Sequence, residues 1–136
     1  MKKLVVPVAA MWVLLVAGSV FAHHSPVMFD RDKKQTITGT VKEFSWVNPH
    51  ASIQLEVKNA QGHADVWGIE MNSPNNLVKQ GWKSTILKGG DKVSIVINPL
   101  RTGEHGGSFV SIKLPDGKVL GDKWTEDIES KGVVGK

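Results

Sequence analysis

The sequence predicts a mostly β fold: a small five-stranded barrel of the OB type, in the order β-β-β-α-β-β with one short helix, preceded by a signal-peptide helix. Three observations carry this. Residues 36–50 form the longest β-type run, and its apolar phase slips partway. Ile37 and Val41 share one face of an alternating strand, and Phe44 and Trp46 join it only if the two-residue period shifts by one. A slip of this kind marks a bulge or sharp bend, which lets one long strand serve both halves of a closed barrel. Gly39 lies within the same strand, where glycine is tolerated if the chain must coil or another backbone must approach closely. Finally, three strand-like segments are followed by a short helical pattern and two more strands, the order in which the helix closes the barrel between strands three and four.

The elements follow in turn. Asn48-Pro49 ends the first strand, because the residue before proline is held out of the helical region and proline donates to no ladder. Residues 52–58 alternate cleanly, with Ile53, Leu55 and Val57 facing inward. Asn59-Ala60-Gln61-Gly62 makes a hairpin connection, and residues 63–71 return as strand three with Trp67, Ile69 and Met71 in phase. Ser73-Pro74 is an N-cap followed by proline at the first helical position, and Gly81 supplies the stop, so residues 74–80 form a helix. Leu77 or Val78 is expected to close one end of the barrel, and Trp82 packs just after it. Lys88-Gly89-Gly90-Asp91 is a tight turn before strand four, whose Val93, Ile95 and Ile97 face inward and which stops at Asn98-Pro99. A glycine-rich loop holding His105 leads to strand five at residues 109–114, with Val110, Ile112 and Leu114 inward. Pro115 to Lys118 turn the chain, and Val119-Leu120 add a short pairing.

The sequence divides into a signal peptide at 1–22, an N-terminal arm at 23–34, the OB-like barrel at 35–120 and a flexible C-terminal tail at 121–136. The leader has a basic start in Lys2 and Lys3, an apolar run from Leu4 to Ala17, and small residues at Val20 and Ala22 that suit cleavage after Ala22. The apolar run contains Pro7 and falls short of a spanning helix, so no membrane anchor is expected after cleavage and the protein is expected to be periplasmic or secreted. Lys2 and Lys3 leave with the leader, which takes the net charge from +4 to +2. The chain has no cysteine. Disulfide staples and a lipidated cysteine are therefore excluded, and stability must come from the apolar core.

The motif combination His23-His24-Ser25, Met28-Phe29-Asp30, Thr38-Gly39-Thr40-Val41, Trp46, Asn48-Pro49-His50, Ser73-Pro74-Asn75, Gly81-Trp82 and Lys88-Gly89-Gly90-Asp91-Lys92-Val93 resembles a family of small exported bacterial proteins known only as a domain of unknown function. The resemblance runs through nearly all of the mature chain to about Leu120 and implies export and a small β-barrel, with no established activity. The chain departs from the family at Pro26, where an aromatic commonly follows His-His-Ser.

Enzymatic chemistry has little to build on. There is no Gly-x-Ser-x-Gly elbow and no cysteine nucleophile, and Gly103 to Gly107 lacks the lysine and following helix of a phosphate loop. The expectation is a non-enzymatic protein. Phe44, Trp46 and Trp67 alternate as core residues do and no basic residues flank them, so no nucleic-acid partner is expected. Histidine is the informative residue type. Cleavage after Ala22 makes His23 the mature terminus, and its α-amine and ring nitrogen can chelate one metal. A second imidazole completes three nitrogens in the planar geometry that suits Cu(II), resembling the histidine brace of exported copper proteins. His50 and His105 are the candidates for that third nitrogen, and His24 offers an adjacent-residue chelate instead. Copper is the one cofactor suggested, with His23, His24, His50 and His105 as candidate ligands. The competing reading is a binding module that holds a small ligand, an oligosaccharide, a peptide or an exported protein partner on the face of strands two and three, with Trp46, Asn48 and His50 at its rim.

Overall fold

The computed structural model describes residues 28–121, so the expected leader, the first residues of the arm and the tail beyond Gly121 lie outside the described residues. Strand β1 (Gln35–Ser45) is the strand shared by the two halves of the barrel. Its first half pairs antiparallel with β4 (Lys92–Pro99), from Gln35 opposite Ile97 to Thr40 opposite Lys92. Its second half pairs antiparallel with β2 (Ser52–Lys58), from Thr40 opposite Glu56 to Ser45 opposite Ser52. The register shifts between Val41 and Glu43, which leaves Lys42 as the extra residue of a bulge and brings Phe44 back to the inner face opposite Ile53. The phase slip read in the sequence is this bulge.

Gly39 sits where the strand passes from one partner to the other. A Cβ there would collide with the Glu56 carbonyl oxygen and lie 3.1 Å from Leu55 Cγ. Glycine is needed because the β2 backbone crosses tightly over β1 at this point.

Strand β2 pairs with β3 (Ala64–Glu70) through the hairpin at Asn59, where Gly62 takes φ 80°. Helix α1 (Pro74–Lys79) starts at an N-cap Ser73 whose hydroxyl accepts from Asn76 N, with Pro74 in the first turn, and Gly81 follows at φ 90°. Strand β4 pairs with β5 (Gly106–Lys113), and β5 closes the barrel by running parallel to β3 from Gly68 opposite Gly106 to Glu70 opposite Ser108. The short β6 (Val119–Gly121) lies outside that closure, paired to β5 alone. This is a closed five-stranded barrel of the OB type with one short helix.

The core contains Ile37, Val41, Ile53, Leu55, Ile69, Ile95, Ile97 and Ile112, all buried as the alternation requires. Leu77 closes one end of the barrel and Val78 stays exposed. Trp82 is the larger plug: it is 1% exposed, meets Phe109 edge-on at 5.4 Å between ring centres and lies 6.3 Å from Phe44. One inward assignment is corrected. Phe109 takes the buried place expected for Val110, because β5 carries a second register shift: Val96 faces Ser111, whereas Ile97 faces Phe109. Val110 is thus the extra residue of that bulge and is half-buried.

The arm is also tied more firmly than its polar sequence suggests. Phe29 is buried and bridges to Leu100, Asp30 N donates to Pro99 O, and Arg101 N donates to Met28 O. Asn98, expected only to end a strand, is buried, and its side-chain amide donates to the carbonyls of Lys33 at 2.8 Å and Arg31 at 3.4 Å. A buried amide is tolerated because those carbonyls satisfy it.

At the turn before β4, Asp91 accepts from Lys88 Nζ at 2.8 Å and from Lys88 N at 3.0 Å. The Lys88 side-chain contact, followed by the backbone N–H, holds the Asp91 carboxyl below its usual 3.8. A carboxylate with a lowered folded pKa adds stability that is present above 3.8 and is lost as pH falls through the folded value. The difference in urea midpoint between the wild type and Asp91→Asn should therefore be open at neutral pH and narrow as the pH falls below 3.8. A gap that stays constant with pH would contradict the assignment.

Candidate functional site

An open groove of about 680 Å3 lies on the outer face of β2 and β3. The turn after β1 builds one wall through Val47, Asn48, Pro49 and His50, where the Asn48-Pro49 peptide is cis. Phe29 from the arm and Leu100 beyond β4 build the apolar end. The floor follows from strand alternation. With Ile53 and Ile69 facing inward, Ser52 and Gln54 of β2 and Gly68 and Glu70 of β3 face outward, and the ladder sets Ser52 opposite Glu70 and Gln54 opposite Gly68. Gly68 is what keeps the floor low. A Cβ added there meets nothing within 4 Å, so packing does not demand glycine at this position, and any larger side chain would rise into the groove.

His50 is the best-defined polar group in the groove. The sequence reading placed it at the mouth of the Asn48-Pro49 turn, whereas its ring reaches across to the end of β3. Nδ1 lies 3.0 Å from Met71 O. A carbonyl oxygen can only accept, so Nδ1 carries a proton, and the lone pair of the neutral form of the ring is then the one at Nε2. The position is rigid, because Ala51 and Met71 extend the β2–β3 ladder through Met71 N donating to Ala51 O. Nε2 lies 3.9 Å from Glu70 Oε1, too far for a direct hydrogen bond. A carbonyl that accepts from one ring nitrogen, leaving the other turned outward, is how a ligating histidine is oriented.

The other expected site residues are spread more widely. Asn48 lines the groove with His50. Trp46 does not: it is half-buried against the core and meets Phe44 edge-on at 5.6 Å. His105 is exposed and stacks on Trp67 with ring centres 4.8 Å apart, and it is not among the residues lining the groove. His23 and His24 lie outside the described residues. Among the described residues no three His, Cys, Asp or Glu side chains gather where they could hold a metal ion. Glu70 was missed by the sequence reading. Strand alternation shows that it faces outward, but only the fold sets it beside a histidine 20 positions away in sequence.

Barrel and groove together define a small OB-type domain with a ligand-sized depression on its β2–β3 face. Residues 10–109 match the sequence family described as "Family of unknown function (DUF6152)", and the chain belongs to that family. None of the curated proteins compared with it matches. Solved structures similar to it include the mitochondrial single-stranded DNA binding protein Rim1 of S. cerevisiae, at 14% identity and TM-score 0.46, over 60% of this chain and 92% of that one. The N-terminal domain of PriB from Thermoanaerobacter tencongensis is similar at 22% identity and TM-score 0.41, over 61% and 96%. The likeness is one of barrel form and extends no function to this chain. It does correct one expectation. A single-stranded DNA binding protein stands among the barrels this one resembles, so the expected absence of a nucleic-acid partner is withdrawn. Among the described residues, no helix is long and apolar enough to cross a membrane.

Proposed function

We propose that this is an exported, periplasmic, non-enzymatic binding protein that takes one Cu(II) ion at the groove. His50 supplies Nε2, and the mature terminus at His23 supplies its α-amine and ring nitrogen. The observation that supports this reading is the His50 ring, held at Nδ1 by Met71 O with Nε2 open beside Glu70. Three nitrogens in one plane suit Cu(II), which also heads the affinity order among divalent metals for nitrogen ligands. The arm is anchored at Met28 and Phe29, next to the groove, so the terminus it carries starts close to the proposed site.

The test starts with intact mass of the protein recovered from its own compartment, which should give a chain beginning at His23. Calorimetric titration with Cu(II) should then saturate at one ion per chain, with affinity falling on acidification as protons compete for the imidazoles. A mature chain that begins elsewhere, or binding no tighter than that of an unrelated histidine-bearing protein, would refute the copper reading.

The size of the groove favours a second reading, since about 680 Å3 exceeds what an ion needs. Under it, the depression holds an extended ligand across Gly68, such as an oligosaccharide or a peptide. Gly68→Phe tests this reading, because its ring fills the floor that an extended ligand would cross. If native mass spectrometry finds a co-purifying mass on the wild type that is lost in Gly68→Phe, the second reading takes precedence.

A further inference from the structure

We infer that the groove is the docking site for the chain's own residues 23–27, with Glu70 receiving the positively charged mature terminus. The inference rests on cleavage after Ala22, as the copper reading does, but needs no metal. Three observations point to this occupant. The first is where the described chain begins. Met28 is pinned by Arg101 N and Phe29 forms part of the groove wall, so residues 23–27 start at its edge. Five residues reach about 17 Å at full extension, ample for a groove whose own wall includes Phe29.

The second is charge. Glu70 is the carboxylate lining the groove, its side chain 26% exposed, and His50 Nε2 lies 3.9 Å from its Oε1. A neutral His50 turns a lone pair toward that carboxylate, so the pair favours a cation or an N–H donor between them. The α-ammonium of a mature His23 is such a group, and when Cu(II) is bound the same nitrogen, deprotonated, becomes a ligand. The third is apolar match: the segment carries Pro26 and Val27, and the groove offers a wall of Phe29, Val47, Pro49 and Leu100, of which Val47 is 57% exposed.

The experiment is disulfide trapping, which is clean because the chain has no cysteine of its own. Ser25→Cys with Gln54→Cys places one thiol on the arm and one on the groove floor, and Ser25→Cys with Lys118→Cys is the control outside the groove. Both are expressed with the leader and checked by intact mass for a start at His23. Without metal, the Gln54 pair should close within the monomer to near completion and the Lys118 pair should not. Adding Glu70→Gln should lower the trapping rate roughly threefold, the scale of a part-exposed ion pair. Equal trapping of both pairs, or disulfide-linked dimers in place of monomers, would overturn the inference. So would trapping unchanged by Glu70→Gln. Failure of the copper reading looks different, since trapping would persist in a protein that does not bind Cu(II). Tight Cu(II) binding without Gln54 trapping would overturn the docking alone.

Discussion

Gly39→Ala should cost about 3 kcal/mol or more of folding stability, and Gly39→Val should leave no folded barrel. Overpacking a core costs about 1–3 kcal/mol when neighbouring side chains can shift. Here the atom in the way is the Glu56 carbonyl oxygen, part of the β2 backbone, with Leu55 Cγ 3.1 Å from the new carbon. Relief would require β1 and β2 to separate at the residue where β1 passes from β4 to β2. With a domain stability of about 5–15 kcal/mol in all, the loss is large. Gly68→Ala is the matched control. It is also an interior strand glycine, but its new Cβ meets nothing within 4 Å, so stability should be unchanged or slightly raised. Urea denaturation of the two variants checks the pair. A Gly39→Ala protein within about 1 kcal/mol of wild type would mean that the strands do not cross as described.

The second large effect is on copper. One residue added ahead of His23 should weaken Cu(II) binding by at least on the order of 100-fold, beyond the 10- to 100-fold cost of losing an outer-sphere partner. The added residue converts the chelating amine into an amide, whose nitrogen has no lone pair to give without losing its proton. His50→Ala should weaken binding while leaving the urea midpoint nearly unchanged, since the ring is exposed and anchored by one hydrogen bond. His105→Ala should leave copper binding unchanged, because that ring lies on Trp67. If instead His24→Ala alone abolishes binding and the extended terminus binds as well as the native one, the ligands are an adjacent-residue chelate and the groove plays no part.

Much of the barrel can be read from sequence because its constraints are local. The slip between Val41 and Phe44 becomes the Lys42 bulge, Ser73-Pro74 starts the helix, and Gly62 and Gly81 adopt the left-handed conformations that their turns need. The misreadings share a different cause. In Phe109-Val110-Ser111-Ile112 either phase offers an apolar residue, and only the partner strand decides that Phe109 is the one inside. Asn98 looks like a turn residue because its burial depends on carbonyls more than 60 positions away. Phe29 sits in a mostly polar arm, with no period to mark it as buried. The groove was half legible. Asn48 and His50 stand out at the turn, whereas Gly68 and Glu70 join them through strand pairing, which alternation alone leaves open. Trp46 was read both as a core aromatic, from its phase with Phe44, and as a rim residue, from its place near the turn. Its contact with Phe44 and the core shows that it serves the barrel.

The central claim is that ligand binding converges on the His50 groove, and paramagnetic line broadening tests it most directly. Substoichiometric Cu(II) is added to the uniformly 15N-labelled mature protein, and amide signals are followed in two-dimensional spectra. The account predicts that the amides of residues 48–52 and 69–71 broaden first, together with those of residues 24–27, while β6 and the start of β4 at residues 92–95 stay sharp. Broadening confined to residues 24–27 with the groove amides unaffected, or centred on His63 or His105, would contradict it.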